Sequence, residues 1–352
     1  MKCVDKSYEG INGLFLSLPD MIYKKDSPQD KRTEGQILEG THVLSCDFEA
    51  YPFVTVDGKG APVCRALLTC YEGSSTGYVG FFEAFENKEA VLLMLETLCK
   101  AARQKGITDL IGPIDCSIYI GYRFKTEGFE GCFTAEPYNK PYYSAMWKEA
   151  GFSVCGRYVS YMLGRVLPEH FDQRLEGLYQ RCLSRGYTFS SIRKRDFLQV
   201  LEEVYRLMSR AYSGFTGYKP ISREQFVSMF SYLERVLDFD MVLVARREGR
   251  LSAFCICLPN YAELTLGKMS FIKLMKLMRI RRKSKEYVIL YLGADKADAG
   301  VGSALVHYVA KKMCSKGCPS IAALIKEGGL SAKYYENIHM GRHGYELLSR
   351  RL

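Results

Sequence analysis

The sequence predicts a mixed α/β chain of the α+β kind, built as two halves of similar plan. Three observations predict it. Apolar periodicity switches repeatedly between two residues and 3.6. The switches fall in two series, with a change of character near GRVLPEHFDQRLEG, residues 164–177. Each series runs strands, helix, strand, without close internal repetition. At 352 residues the chain can hold two domains and a substantial core.

In the first series, PVCRALLTCY and GYVGFFEAF alternate as paired strands around EGSST. NKEAVLLMLETLCKAARQKG then places Val91, Leu92, Leu95, Leu98 and Cys99 on one helical face, and Gly106 ends it. ITDLIGPI reads as a buried strand. AEPYNKPYYSAMWKEAGF reads as a Pro- and Tyr-rich loop entering a short helix.

The second series opens with the strand-like YTFSSIRKRDF and the helical FLQVLEEVYRLMSRAY. ISREQFVSMFSYLERVL is a further helix, with Ser222 and Gln225 spaced for a capping box. DMVLVARREGRLSAFCICLP reads as two strands around the turn Glu248-Gly249. A basic helical segment, the strand EYVILYLG, a glycine turn with its helix, the strand SIAALIKE, a short helix SAKYYENI and the strand YELLSR complete the series.

Composition narrows the function classes. Hydrophobic content of 47% and charged content of 25% suit a soluble globular protein. No apolar run approaches the roughly 20 residues that span a bilayer. The N-terminus is interrupted by acids, Gly and Pro too early for a signal peptide. Thirteen cysteines, odd in number and scattered, lack a disulfide framework, so a reducing cytoplasm is the expected compartment. Cys255 and Cys257 are read as small buried hydrophobes, and His339-x-x-x-His343 as a turn; no metal is expected.

The net charge of +10 has its densest cluster in SFIKLMKLMRIRRKSK, residues 270–285, with seven Lys or Arg and no acid. Phe271, Leu274, Met275 and Met278 share one helical face. The plain reading is a helix with a solvated basic side. The alternatives are an acidic cofactor or substrate, nucleic acid, or a membrane surface; no RNA-binding signature or zinc finger favours nucleic acid.

LGADKADAGVGSALVHYVAKKM, residues 292–313, sets Gly300 and Gly302 between an apolar run and a helix-patterned run. A helix N-terminus offers unpaired N–H groups and partial positive charge, and glycines let an anion approach. A dinucleotide fingerprint would need Gly or Ala at Leu305 and more sheet downstream, and a Walker loop would need Gly-Lys-Ser/Thr. Neither is present.

Ala297-Asp298-Ala299-Gly300-Val301-Gly302 resembles, in spacing, the coenzyme A turn Gln/Arg-x-x-Gly-x-Gly/Ala of the GCN5-related N-acetyltransferases, the GNAT superfamily. GPIDCSIYIGYRFKTEGFEGCF, PYNKPYYSAMWKEAGF and LGKMSFIKLMKLMRIRRKSKEYVILYLGAD resemble bacterial tandem-GNAT proteins, with Asp115 in place of the usual Asn. The resemblance implies tandem GNAT-like domains, each a mixed, mostly antiparallel sheet flanked by helices. Residues 1–165 would form a degenerate N-terminal domain, and 166–352 a C-terminal domain with the acyl-CoA site. The implied activity is acyl transfer from acetyl-CoA or a longer acyl-CoA to a small primary amine, by direct attack in a ternary complex. The alternatives are a non-catalytic degenerate GNAT binding a partner or anionic lipid, and a Fem-type aminoacyl-tRNA-dependent transferase.

On this resemblance Tyr291, Leu292 and Gly293 pair with the pantetheine arm, and Gly300, Val301, Gly302 and Ser303 hold the diphosphate. Tyr335, with Tyr334 as second choice, protonates the leaving thiolate; the same tyrosines could instead pack on the sheet. Glu286 is a candidate base or a surface carboxylate. Tyr138, Asn139, Tyr142 and Tyr143 either line an acceptor cleft or form a stiff turn capping the first sheet. Two departures from the family pattern stand out: Ala297 fills the Gln/Arg position, and Asp298 sets a negative charge near the expected diphosphate. The first half has no glycine turn, so one coenzyme site is expected.

Overall fold

A computed structural model describes residues 1–212 and 214–352, the side chain of Glu263 excepted. In chain order the elements are β1 (Lys2–Val4), α1 (Ile11–Tyr23), α2 (Lys31–Glu39), β2 (Phe48–Val56), β3 (Pro62–Tyr71), β4 (Thr76–Ala84), α3 (Lys88–Gln104), β5 (Asp109–Gly112), β6 (Phe124–Glu127), α4 (Tyr143–Glu149) and β7 (Ser153–Leu163). There follow α5 (Gln173–Ser184), β8 (Tyr187–Ser191), α6 (Phe197–Ala211), α7 (Arg223–Phe230), β9 (Val242–Arg247), β10 (Arg250–Pro259), α8 (Phe271–Arg282), β11 (Tyr287–Ala294), α9 (Val301–Lys316), β12 (Ser320–Lys326) and β13 (Gly341–Arg351).

The chain forms two units. Unit 1 comprises Met1–Tyr158, Thr265–Lys268 and His343–Leu352; unit 2 comprises Val159–Leu264 and Met269–Arg342. The expected boundary at 165/166 therefore lies a few residues inside unit 2. The last strand does not stay with the half that precedes it. β13 pairs antiparallel with β5 in unit 1, Leu348 opposite Gly112 and Arg351 opposite Asp109. Hydrogen-bond pairing, which is blind to sequence distance, decides this assignment.

In unit 1 the strand order is β1-β2-β3-β4-β5-β13, with β6 also on β13. All pairs are antiparallel except β4–β5. Asn87 caps α3, its side chain accepting from Ala90 N–H at 3.0 Å. The apolar face expected of that helix packs into the sheet with Trp147 and Phe82. Arg65 is fully buried here, forked onto Glu34 (2.7 and 2.9 Å) and donating to the Phe15 carbonyl (2.8 Å).

In unit 2 the order is β12-β11-β10-β9-β8, parallel only between β11 and β12. The Ser222–Gln225 capping box forms in both directions, at 3.1 and 2.6 Å. Glu248 (φ +51°) and Gly249 (φ +79°) make the tight β9–β10 turn. Cys255 and Cys257 are buried in the core under α9. The expected helix SAKYYENI is only a single 3-10 turn, Ala332–Tyr334. Among the described residues no helix is long and apolar enough to cross a membrane.

Candidate functional site

Two neighbouring strands in unit 2 part company. β11 and β12 pair over three positions only: Tyr287 with Ser320, Val288 with Ile321, Ile289 with Ala322. Two local distortions coincide with the parting. The β10 ladder skips Leu290, since Ile256 faces Tyr291 while Cys257 faces Ile289; this is a β-bulge. On β12, Leu324 is forced to φ +59°, and its N–H turns to Ser160 Oγ at 2.9 Å. Ile289, Leu290, Tyr291 and Leu292 are consequently only partly buried, although β11 is an interior strand. An opened edge of this kind offers main-chain pairing to an extended ligand.

The mouth of α9 lies directly after that strand in the chain. Its N-cap, Gly300, has φ +89° and no side chain to occupy the mouth. Val301 N–H bonds to the Asp298 carbonyl (3.2 Å) and Ala304 N–H to the Gly300 carbonyl (3.0 Å). The N–H groups of Gly302 and Ser303 have no partner among the described residues. A Cβ on Gly302 would lie 3.1 Å from the Ala294 Cβ, so the helix meets the strand end closely.

The acidic residue that departs from the family pattern is covered. Asp298 accepts from the Tyr187 hydroxyl at 2.8 Å and from Arg250 at 2.6 Å. Arg250 also bonds to Asp295 (2.9 Å), as does Arg210 (3.1 Å). Burial, the largest influence on the Asp298 carboxyl, pushes it up. The neighbouring Ser252 and Tyr187 hydroxyls and the Arg250 guanidinium outweigh burial and hold it below the usual carboxylate range. The carboxylate is thus ionised and neutralised within the protein.

Of the expected catalytic residues, the two tyrosines gather here. The Tyr334 hydroxyl is 2.7 Å from Ser303 Oγ, in the first turn of α9. Burial pushes the Tyr335 hydroxyl well above the ordinary tyrosine range, with Cys255, Cys257 and Tyr334 adding to the rise. Tyr335 leans on Tyr161 (ring centroids 6.5 Å), and Tyr161 on His339 (4.9 Å). The Nδ1 of His339 is buried without a partner among the described residues. Spacing to His343 was its only sequence signal, and it pointed elsewhere; the ring's neighbours are long-range.

Other expected residues are not brought to this place. Glu286 precedes β11, four residues from the bulge and so about 13 Å away along the strand. Its carboxylate accepts from the Asn260 side chain. His343 belongs to unit 1, its Nδ1 2.6 Å from Glu136 Oε1. Among the described residues no group of three or more His, Cys, Asp or Glu is placed to hold a metal ion. Tyr138, Asn139, Tyr142 and Tyr143 also lie in unit 1. Asn139 clasps the Lys125 main chain (2.7 and 3.1 Å). The hydroxyls of Tyr142 and Tyr143 bond to the Ala84 carbonyl and Glu83. Tyr138 is half exposed, against Tyr23. These bonds all lie within unit 1.

Unit 1 repeats the splay in a closed form. β4 and β5 also pair over only three positions, and Phe81 on β4 has φ +47°. Here Asp115 accepts the Phe81 N–H at 2.5 Å, and Asn87 fills the mouth of α3. A Cβ on Gly80 would lie 2.1 Å from the Ile114 carbonyl oxygen. Side chains and backbone occupy what is open in unit 2.

No family model matches the sequence. Among curated proteins the chain is 22% identical over 199 residues to Protein YghO of Escherichia coli (strain K12), covering 54% of this chain and 49% of that protein. The chain thus spans about half the length of this relative. Among solved structures it is similar to a tandem GNAT protein from the clavulanic acid biosynthesis pathway, at 11% identity and TM-score 0.52, covering 99% of this chain and 98% of that one. It is also similar to a GCN5-related N-acetyltransferase from Anabaena variabilis, at 8% identity and TM-score 0.51, covering 99% and 73%. A third is an Enterococcus faecalis protein described as a probable N-acyltransferase, at 10% identity and TM-score 0.50, covering 100% and 73%. At these identities the likeness speaks of fold, and the fold is that of the GCN5-related N-acetyltransferases, present in tandem.

Proposed function

We propose that this protein is an acyl-CoA-dependent N-acyltransferase, moving an acetyl or longer acyl group to a primary amine. One observation carries the reading: a bulged, half-opened strand is followed in the chain by a helix whose second and third amides, Gly302 and Ser303, have no partner among the described residues. The free N–H groups of Gly302 and Ser303, with Gly300 leaving room, suit a diphosphate. The Asp298 charge, being matched by Arg250, does not oppose it. The edge of β11 at Tyr291, Leu292 and Gly293 suits an extended pantetheine arm, and its partly buried apolar side chains suit an acyl chain.

The transfer is a direct attack. The amine, freed of one proton, forms the C–N bond and the C–S bond breaks; the departing sulfur takes a proton from Tyr335, so that coenzyme A leaves as its thiol, and the second proton lost by the nitrogen restores the Tyr335 hydroxyl. Holding both substrates together supplies much of the acceleration. Tyr335, kept protonated by burial, donates its proton toward the departing sulfur. His339, whose ring lies against Tyr161 and whose Nδ1 has no partner among the described residues, is the residue of this cluster we assign to receive the proton that the ammonium gives up.

Isothermal titration with coenzyme A and acetyl-CoA tests donor binding, and thiol release over a panel of primary amines tests transfer. Binding with amine-dependent thiol release is expected. No binding at millimolar donor would remove the assignment; binding without release to any amine would leave a coenzyme-binding protein that does not transfer.

A further inference from the structure

α8 is built the wrong way round for a surface helix. Among its twelve residues none is buried. Leu277, Ile280, Lys273 and Arg281 share one side of the helix and are partly covered. Arg281 fastens that side, its guanidinium donating to the Leu237 carbonyl at 2.9 Å and the Glu234 carbonyl at 3.3 Å. The opposite arc carries Phe271, Ile272, Leu274, Met275 and Met278. Phe271 is 75% exposed, Ile272 68% and Met275 52%. A helix ordinarily turns such residues inward, so the shared apolar face visible in the sequence is presented to water.

Cations surround this arc. Lys276 flanks it, Arg279 and Arg282 emerge within it on long stems, and Lys283 and Lys285 follow. No acid lies between residues 270 and 285. This chemistry chooses among occupants. A second copy would set the same cations against each other. A nucleic acid would match the charge and leave Phe271, Ile272 and the methionines without apolar contact. A bilayer with anionic head groups matches both, giving phosphates to the cations and an acyl boundary to the apolar arc. At about 18 Å, α8 is long enough to lie in that interface and too short to span the roughly 30 Å hydrocarbon core.

We propose that α8 docks this protein on anionic lipid bilayers, the arc around Phe271, Met275 and Met278 entering the boundary between head groups and acyl chains. The proposal stands apart from acyl transfer and is tested without it.

The test is co-sedimentation of the full chain with phosphatidylcholine vesicles, with and without phosphatidylglycerol. Pelleting is expected with phosphatidylglycerol only, and it should fade as salt is raised. The double variant Phe271→Ser/Met275→Ser should weaken binding roughly tenfold or more. Lys276→Gln should weaken it about fivefold. Both alter exposed side chains, so thermal melts should match the parent chain. Absence of pelleting with phosphatidylglycerol at low salt overturns the proposal, as does equal binding by the double variant. Self-association abolished by the double variant without vesicle binding would assign the face to a second copy. A nucleic-acid gel shift without vesicle binding would assign the segment to that ligand.

Discussion

The Ser303 and Tyr334 hydroxyls lie 2.7 Å apart, and this bond ties the 3-10 turn Ala332–Tyr334 to the first turn of α9. The neighbouring Tyr335 hydroxyl makes no hydrogen bond to a described residue. The two tyrosines should therefore separate by kinetics. Tyr335→Phe should lower turnover by about 10²–10⁴ with donor affinity kept. Tyr334→Phe should mainly weaken donor binding. Titration and thiol release on both variants check this, and the reverse pattern would move the acid to Tyr334.

Gly302 sits where the helix touches the strand end. In Gly302→Val the Cβ starts 3.1 Å from the Ala294 Cβ, and the branch pushes the mouth off β11. Donor affinity should fall roughly tenfold or more, while circular dichroism reports a folded chain. Unchanged affinity would place the donor elsewhere.

Arg250 is the cover for two carboxylates. Arg250→Ala should uncover Asp298 and Asp295 beside the diphosphate position and raise the dissociation constant for coenzyme A. Adding Asp298→Asn should restore much of the affinity, because the pair is coupled. Additive losses in the double variant would show that Arg250 acts by some route other than Asp298.

Asp115 gives a pH signature to unit 1. Burial pushes its carboxyl up to about 7 from 3.8; the Phe81 N–H and the Arg65 charge oppose the rise, and Glu34 adds to it. Between those pH values the folded chain keeps a proton that the unfolded chain has released. Stability therefore falls as pH climbs from about 4 to about 7. Asp115→Asn retains an acceptor for Phe81 and removes this slope. It should melt with the parent below pH about 4 and be more stable at pH 8, by on the order of 4 kcal/mol. Glu83, also raised to about 7 by burial, leaves a residual slope of the same sign. Melting temperature against pH decides, and parallel curves would refute the account.

The Arg65–Glu34 fork is buried on both sides. Glu34→Ala leaves a guanidinium without its partner in the core and should cost about 3–5 kcal/mol in urea unfolding. A loss under about 1 kcal/mol would mean that Glu83 or Asp115 takes over the charge.

Local chemistry was legible without coordinates. The Ser222–Gln225 cap, the Glu248-Gly249 turn, the helix face of Leu95 and Leu98, and the glycines before Val301 each depend on neighbours within a few residues. The GNAT resemblance rests on the same short patterns. Glu286 shows where such reading stops. Position on a strand was visible, but which end of the strand opens was not.

The sequence by itself determined the duplicated α+β plan, the elements and the glycine turn Gly300-Val301-Gly302 that opens α9, because periodicity, capping and left-handed backbone are set by adjacent residues. Only the tertiary structure decided that β11 and β12 part after Ile289, that Asp298 faces Arg250, that β13 serves unit 1, and that α8 turns its apolar side outward. Those outcomes depend on ladder pairing and burial between residues tens to hundreds of positions apart, and no local pattern carries that information.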